Sequence, residues 1–229
     1  MHNLHSGRNI REVGPGPTLI VFSTALGLFL VIAFAVVLSA PLAALDADVG
    51  TWLHVRLTPL VSNAMVAVSF LGAPTTLTVV VVAGSLLLLH RRRYVEAATL
   101  STIVLGGNFL NFCVKHLIQR GRPVFDDPIF SLPTYSFPSG HAMASTVFYG
   151  LLALYASVNA RQRHAVYIAT AAAVLMIALV SFSRIYLGLH YVSDVMGGIA
   201  EGVAWLALCF AALHYIRRGE AAAGVNADS

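Results

Sequence analysis

The sequence predicts an all-α polytopic membrane protein with six transmembrane helices and both termini cytoplasmic. Composition is the first reason: of 229 residues only 10% are charged and 58% are apolar, whereas a soluble domain carries about 25% charged residues to wet its surface. The mean hydropathy is +0.78. The second reason is that apolar stretches near the roughly 20 residues needed to cross a bilayer occur six times. The third is the placement of the basic residues, taken up below. The same composition excludes disorder, collagen-like repeats and a basic nucleic-acid-binding domain.

Residues 1–18 read as a cytoplasmic segment carrying Arg8 and Arg11. The first span, Leu19–Ser39, is too long for a signal peptide, although Ser39-Ala40-Pro41-Leu42-Ala43-Ala44 offers small residues for cleavage. Trp52–Leu71 is apolar enough to suggest a span, then Gly72-Ala73-Pro74 breaks the pattern. The remaining spans are Pro74–His90, Glu96–Cys113, Gly140–Ser157, Ala165–Phe182 and Val192–Tyr215. The membrane domain thus covers residues 19–216, followed by a cytoplasmic tail, 217–229, whose Gly219–Ser229 stretch reads as disordered. Cys113 and Cys209 sit among apolar residues and read as two small buried hydrophobes.

With six spans and the N-terminus inside, Arg8, Arg11, Arg91, Arg92, Arg93, Arg161, Arg163, Arg217 and Arg218 all fall on the cytoplasmic side. A seventh span at Trp52–Leu71 would send the last seven outside and invert the positive-inside bias. That stretch is therefore expected to lie at the outer interface as a helix over 52–71. Arg56, Lys115, Arg120, Arg122 and Arg184 remain outside, and four of these cluster in two later loops, for a reason other than topology.

Three segments at outward ends of spans carry chemistry. Lys115-His116-Leu117-Ile118-Gln119-Arg120-Gly121-Arg122-Pro123 follows a helix on which Asn108, Asn111 and Lys115 share a face. A polar stripe inside a bundle points toward protein or water, although the basic cluster alone also suits anionic headgroups. Phe137-Pro138-Ser139-Gly140-His141 opens the fourth span, where unpaired N–H groups, a close approach at Gly140 and the Ser139 hydroxyl suit an anion. Alone it reads rather as an ordinary helix cap. Ser183-Arg184 through His190 to Asp194 joins the last two spans. If a helix begins near His190, Asp194 lies one turn along and fixes the imidazole tautomer, leaving the other nitrogen as a nucleophile or base. His141, His190 and Asp194 are also a conceivable metal set, which the neighbouring cations oppose.

Taken together, these segments bring Lys115, Arg122 and Arg184 to one side of the membrane with a helix N-terminus and two histidines, which suits a transferring phosphoryl group. Lys115-x6-Arg122-Pro123, Pro138-Ser139-Gly140-His141 and Ser183-Arg184-x5-His190-x3-Asp194 resemble the three-part signature of the type 2 phosphatidic acid phosphatase family, in its membrane-bound bacterial branch. Every signature position matches. The resemblance implies a metal-independent phosphatase without a cofactor, in which His190 attacks phosphorus to form a phosphohistidine and Asp194 orients it. His141 would protonate the leaving oxygen and then activate water. Lys115, Arg122 and Arg184, with Ser139 and Gly140, would hold the phosphoryl oxygens. The residues alone do not say which histidine attacks.

The expected substrate is a membrane lipid phosphate or diphosphate, its head at the outer (periplasmic or extracellular) face and its tail in the bilayer. Phosphatidate, phosphatidylglycerophosphate, undecaprenyl diphosphate and lipid A phosphates all fit, and no nucleic-acid partner is expected. A phosphotransferase, and a non-catalytic anionic-lipid binder or transporter, are the alternatives. Glu201, seven residues beyond Asp194, reads as the partner of a polar group on the third span. Gly198 and Gly202 read as a helix-packing pair.

Overall fold

A computed structural model describes residues 15–125, 133–160 and 162–227. Arg8, Arg11 and Arg161, used above as topology markers, lie outside these residues. Among the described residues the chain is all α: α1 (Pro15–Leu38), α2 (Ala40–His54), α3 (Pro59–Leu71), α4 (Pro74–His90), α5 (Tyr94–Ile118), α6 (Gly140–Asn159), α7 (Arg163–Tyr186) and α8 (Val192–Ala227). Among the described residues six candidate spans are long and apolar enough to cross a bilayer, one of them Pro59–His90, which takes in α3 as well as the expected Pro74–His90. α8 is the inner wall and α1 an outer stave: 56% of the most apolar window of α8 is buried inside the protein against 6% for α1. The apolar side chains left outside, such as Val31, Phe34 and Ile168, face the only medium that welcomes them, the lipid.

The core is a seam between α4, α5, α6 and α8, where Val81, Ile103, Val104, Met143, Val147 and Leu206 are buried together. The small-residue pair works as expected. A Cβ on Gly198 would stand 2.5 Å from the Ser139 carbonyl oxygen, and one on Gly202 would stand 2.8 Å from Thr146 Cβ, so both glycines let α8 close on α6.

Three expectations are corrected. The single helix over 52–71 is the end of α2, a turn, and α3. Pro59 opens α3, and the α3–α4 junction follows at Gly72 and Ala73. α2 itself was not expected: Ser39 is its N-cap, its hydroxyl accepting from the Leu42 N–H at 3.3 Å, with Pro41 in the first turn. Both ends of α3 meet the last turn of α7, because Thr58 N–H donates to the Tyr186 hydroxyl at 3.3 Å and Arg184 Nη1 donates to Ser69 Oγ at 2.6 Å. α3, 13 residues long, thus packs against the C-terminal part of α7, with its Gly72 end beside Val180.

The second correction is the tail, because α8 continues to Ala227. Extending an existing helix needs no new nucleus, and Glu220-Ala221-Ala222-Ala223 is made of good helix formers. The third is Cys113, which is exposed, while Cys209 is half-buried against the core; both are free thiols. In a membrane protein apolar neighbours in sequence are as consistent with lipid as with a core.

Candidate active site

Four helix ends meet at one end of the bundle: the C-termini of α5 and α7 and the N-termini of α6 and α8. Each signature segment sits on one of these ends or on the loop beside it. At the end of α7 the chain turns through Gly188, whose φ of +68° is open to glycine at no steric cost. A Cβ there would also stand 2.8 Å from the Phe125 ring. The turn folds Leu189 and His190 back so that both N–H groups donate to the Arg184 carbonyl, at 3.0 and 3.2 Å. One turn of sequence thereby places a histidine above an arginine.

α8 begins just after His190. Asp194 reaches back to accept the Tyr191 N–H at 2.9 Å, half of a capping box, with its charge at the positive end of the helix. The same oxygen, Oδ2, faces His190 Nδ1 at 3.4 Å and accepts from Ser136 Oγ. On the other side of the ring, Arg122 Nη1 stands 3.2 Å from His190 Nε2. A carboxylate only accepts and a guanidinium only donates, so Nδ1 carries the proton and the Nε2 lone pair points at Arg122. Burial pulls the His190 pKa down to about 3, helped by Arg122 and Lys115 and opposed by Asp194, so the ring is neutral at physiological pH.

Lys115 and Arg122 stand close to the ring. Lys115 Nζ donates to the carbonyls of Tyr135 and Ser136 at 3.0 and 3.2 Å. Arg122 also donates to the carbonyls of Thr134 (2.7 Å), Tyr135 (3.2 Å) and Leu189 (2.6 Å) and to Thr134 Oγ1 (2.9 Å). Arg184 is buried and keeps Nε without a hydrogen-bond partner, and the fully buried Ser139 hydroxyl is likewise unpartnered. Buried polar groups without partners are costly, and both stand open to a partner that the described residues do not supply. Gly140 opens α6 so tightly that a Cβ would approach Asn111 Oδ1 at 3.1 Å. His141 follows it, within electrostatic reach of Arg184, His190, Arg122 and Lys115. All eight expected site residues thus converge.

Other polar groups of this end were not expected in the site. Ser136 and Arg120 both bind Asp194, and Arg120 also binds Asp46 of α2, at 2.8 Å. Arg120 showed itself in the sequence only as a cation on the wrong side for topology, and Asp46 gave no signal. Ser69, which accepts from Arg184 Nη1 at 2.6 Å, was not singled out either. The expected partner of Glu201 is present: Asn111 of α5 donates to it at 2.7 Å. Among the described residues no group of three or more metal-ligating side chains is gathered.

Comparison with known proteins shows the family. The family model of the PAP2 superfamily matches residues 96–218, the stretch that contains every signature segment. Phosphatidylglycerophosphatase B of Bacillus subtilis (strain 168) is 31% identical over 151 residues, covering 63% of this chain and 71% of that protein. Lipid phosphate phosphatase delta of Arabidopsis thaliana is 28% identical over 123 residues, covering 49% of this chain and 30% of that protein. The crystal structure of a transmembrane PAP2-type phosphatidylglycerolphosphate phosphatase from Bacillus subtilis superposes with a TM-score of 0.75 at 26% identity, over 85% of this chain and 96% of that one. Aquifex aeolicus LpxE shares the fold, with a TM-score of 0.55 at 20% identity over 72% of this chain and 94% of that one. The chain therefore belongs to the PAP2 superfamily and is a multi-pass membrane phosphatase.

Proposed function

We propose that this phosphatase removes a phosphate group from a membrane lipid through a phosphohistidine on His190. The observation that carries the reading is the two-sided environment of His190, with Asp194 at Nδ1 and the Arg122 guanidinium at Nε2. The Nε2 lone pair attacks phosphorus as the bond to the lipid oxygen breaks, and protonated His141 gives its proton to that oxygen. Water then attacks phosphorus, neutral His141 takes its proton, and the P–N bond breaks to free inorganic phosphate and His190. Lys115, Arg122, Arg184, the Ser139 hydroxyl and the N–H groups beginning at Gly140 hold the phosphoryl oxygens, whose charge spreads in the transition state. Three cations supply the electrostatics that magnesium supplies in other phosphoryl-transfer sites, so the reaction needs no metal.

A site at the end of an apolar bundle suits a substrate with an anionic head and a tail left in lipid. Phosphatidate, phosphatidylglycerophosphate, undecaprenyl diphosphate and lipid A phosphates share that chemistry. The likeness to phosphatidylglycerophosphate phosphatases puts phosphatidylglycerophosphate first. The test is phosphate release from these four lipids by the purified chain, with and without EDTA and with His190→Ala as control. Release that survives EDTA and vanishes in the variant, by a factor on the order of 10⁶, is expected. Appreciable activity in His190→Ala would overturn the mechanism, and loss in EDTA restored by a divalent ion would overturn its metal independence.

A further inference from the structure

We propose that Asp46, which lies outside every signature segment, is a positioning residue for the His190–Asp194 pair, acting through Arg120 and Ser193. The proposal rests on the catalytic reading of that pair given above. Asp46 projects from α2 into the start of α8, and its carboxylate is buried. Oδ1 accepts the Ser193 N–H at 3.1 Å; Oδ2 accepts Arg120 Nη2 at 2.8 Å and the Ser193 hydroxyl. The other arm of the guanidinium, Nη1, donates to Asp194 Oδ1 at 2.7 Å and to Ser193 Oγ at 2.7 Å. The Tyr191 ring covers its face at 4.2 Å. Arg120 is thus clamped between two carboxylates and holds one oxygen of Asp194, which turns the other toward His190.

Charge gives the arrangement a second consequence. His190 becomes positive as it takes the phosphoryl group, and Lys115, Arg122 and His141 already face it. Asp194 is the nearby counter-charge, and Arg120 alone would cancel it. Asp46 neutralises Arg120, so the triad keeps a net negative charge against the imidazolium. Losing Asp46 leaves Asp194 hydrogen-bonded yet electrostatically spent, which slows phosphoryl transfer more than it weakens lipid binding.

The experiment uses the full-length chain and the lipid phosphate that it hydrolyses fastest. Asp46→Asn, Asp194→Asn and the double variant are compared in kcat and KM, with size-exclusion elution as the check on folding. Asp46→Asn is expected to lower kcat about 10- to 100-fold with KM within about twofold. In the Asp194→Asn background it should cost nothing further, because its target is already gone. A loss confined to KM, or an equal kcat loss in both backgrounds, would make Asp46 an anchor of α2 and overturn the proposal. Should Asp46→Asn fail to fold, Ser193→Ala removes one link of the same clamp and must show the same non-additivity, in smaller measure. Wild-type kcat in Asp194→Asn would instead overturn the catalytic reading on which all of this stands.

Discussion

His190 shows how a single buried ring links fold, chemistry and pH. Burial holds its pKa near 3, below the value of about 6.5 that it takes when unfolded. As pH falls from about 6.5 toward 3 the unfolded chain binds a proton at this position and the folded chain does not, so acid removes stability over that window. Thermal midpoints recorded from pH 7 to pH 4 should therefore fall less steeply in His190→Gln than in the wild type; parallel curves would show that the ring is not held neutral. His141 has a different dependence. As general acid it matters most when the leaving group needs a proton, and an alkoxide from a monoester needs one far more than phosphate leaving a diphosphate. His141→Ala should slow phosphoenzyme formation, measured by rapid quench, about 10²–10⁴-fold on phosphatidate and much less on a polyprenyl diphosphate. Equal losses on both would mean that His141 holds phosphate and that the acid lies elsewhere. The signature residues were legible because each belongs to a short segment at a helix end, where local chemistry and spacing carry meaning. Ser136 and Asp46 were not, since their ties to Asp194 and Arg120 join chain segments 58 and 74 positions apart that only the fold brings together.

Helices were readable in proportion to how fully lipid dictates their composition. The spans expected for α1, α4, α5, α6 and α7 match within a few residues at each end because each is a long apolar run, whereas the last, Val192–Tyr215, stops well short of the end of α8 at Ala227. α2 escaped because Asp46, Asp48 and Gly50 make it unlike a span, and its stability comes from a Ser39 cap and the Arg120 clamp rather than from an apolar stripe. The junction at Gly72 was seen as a break, but its cause is tertiary: a Cβ there would strike Ser145 Oγ and Val180. Gly198 offers the sharpest test of how α8 positions the site. Its would-be Cβ meets the Ser139 carbonyl and, at 3.3 Å, the Met143 N–H, main-chain atoms of the α6 N-terminus that cannot swing aside. Gly198→Ala should cost about 1–3 kcal/mol by overpacking and lower kcat by parting Ser139 and Gly140 from His190. Gly27→Ala, with nothing within 4 Å of the new methyl, should leave both thermal midpoint and kcat near wild type. Matching effects from the two substitutions would mean that the α6–α8 contact does not set the site.

The whole molecule is polarised along the bundle axis, and its two ends use cations differently. At the site end, Lys115, Arg120, Arg122 and Arg184 are tied to carbonyls, carboxylates and Ser69. At the opposite end the α4–α5 turn carries Arg91, Arg92 and Arg93, all exposed, with Arg93 paired to Glu96 across one turn of helix. Cations with no task in the site are the ones free to obey the positive-inside rule. On that rule we propose that the Arg91–Arg93 turn and the C-terminal end of α8, with Arg218, are cytoplasmic and that the site opens on the outer face. Single cysteines at Arg92, Ser229 and Gly121 in a Cys113→Ser, Cys209→Ala background make this measurable with an impermeant maleimide. Replacing Cys113 matters because that thiol is exposed near the site end of α5. In intact cells Gly121→Cys should be modified, and Arg92→Cys and Ser229→Cys only after permeabilisation. Modification of either of the latter two from outside would break the six-span arrangement. The predicted pattern would place phosphate release outside the cell, so the substrate lipid must present its headgroup in the outer leaflet before His190 can reach it.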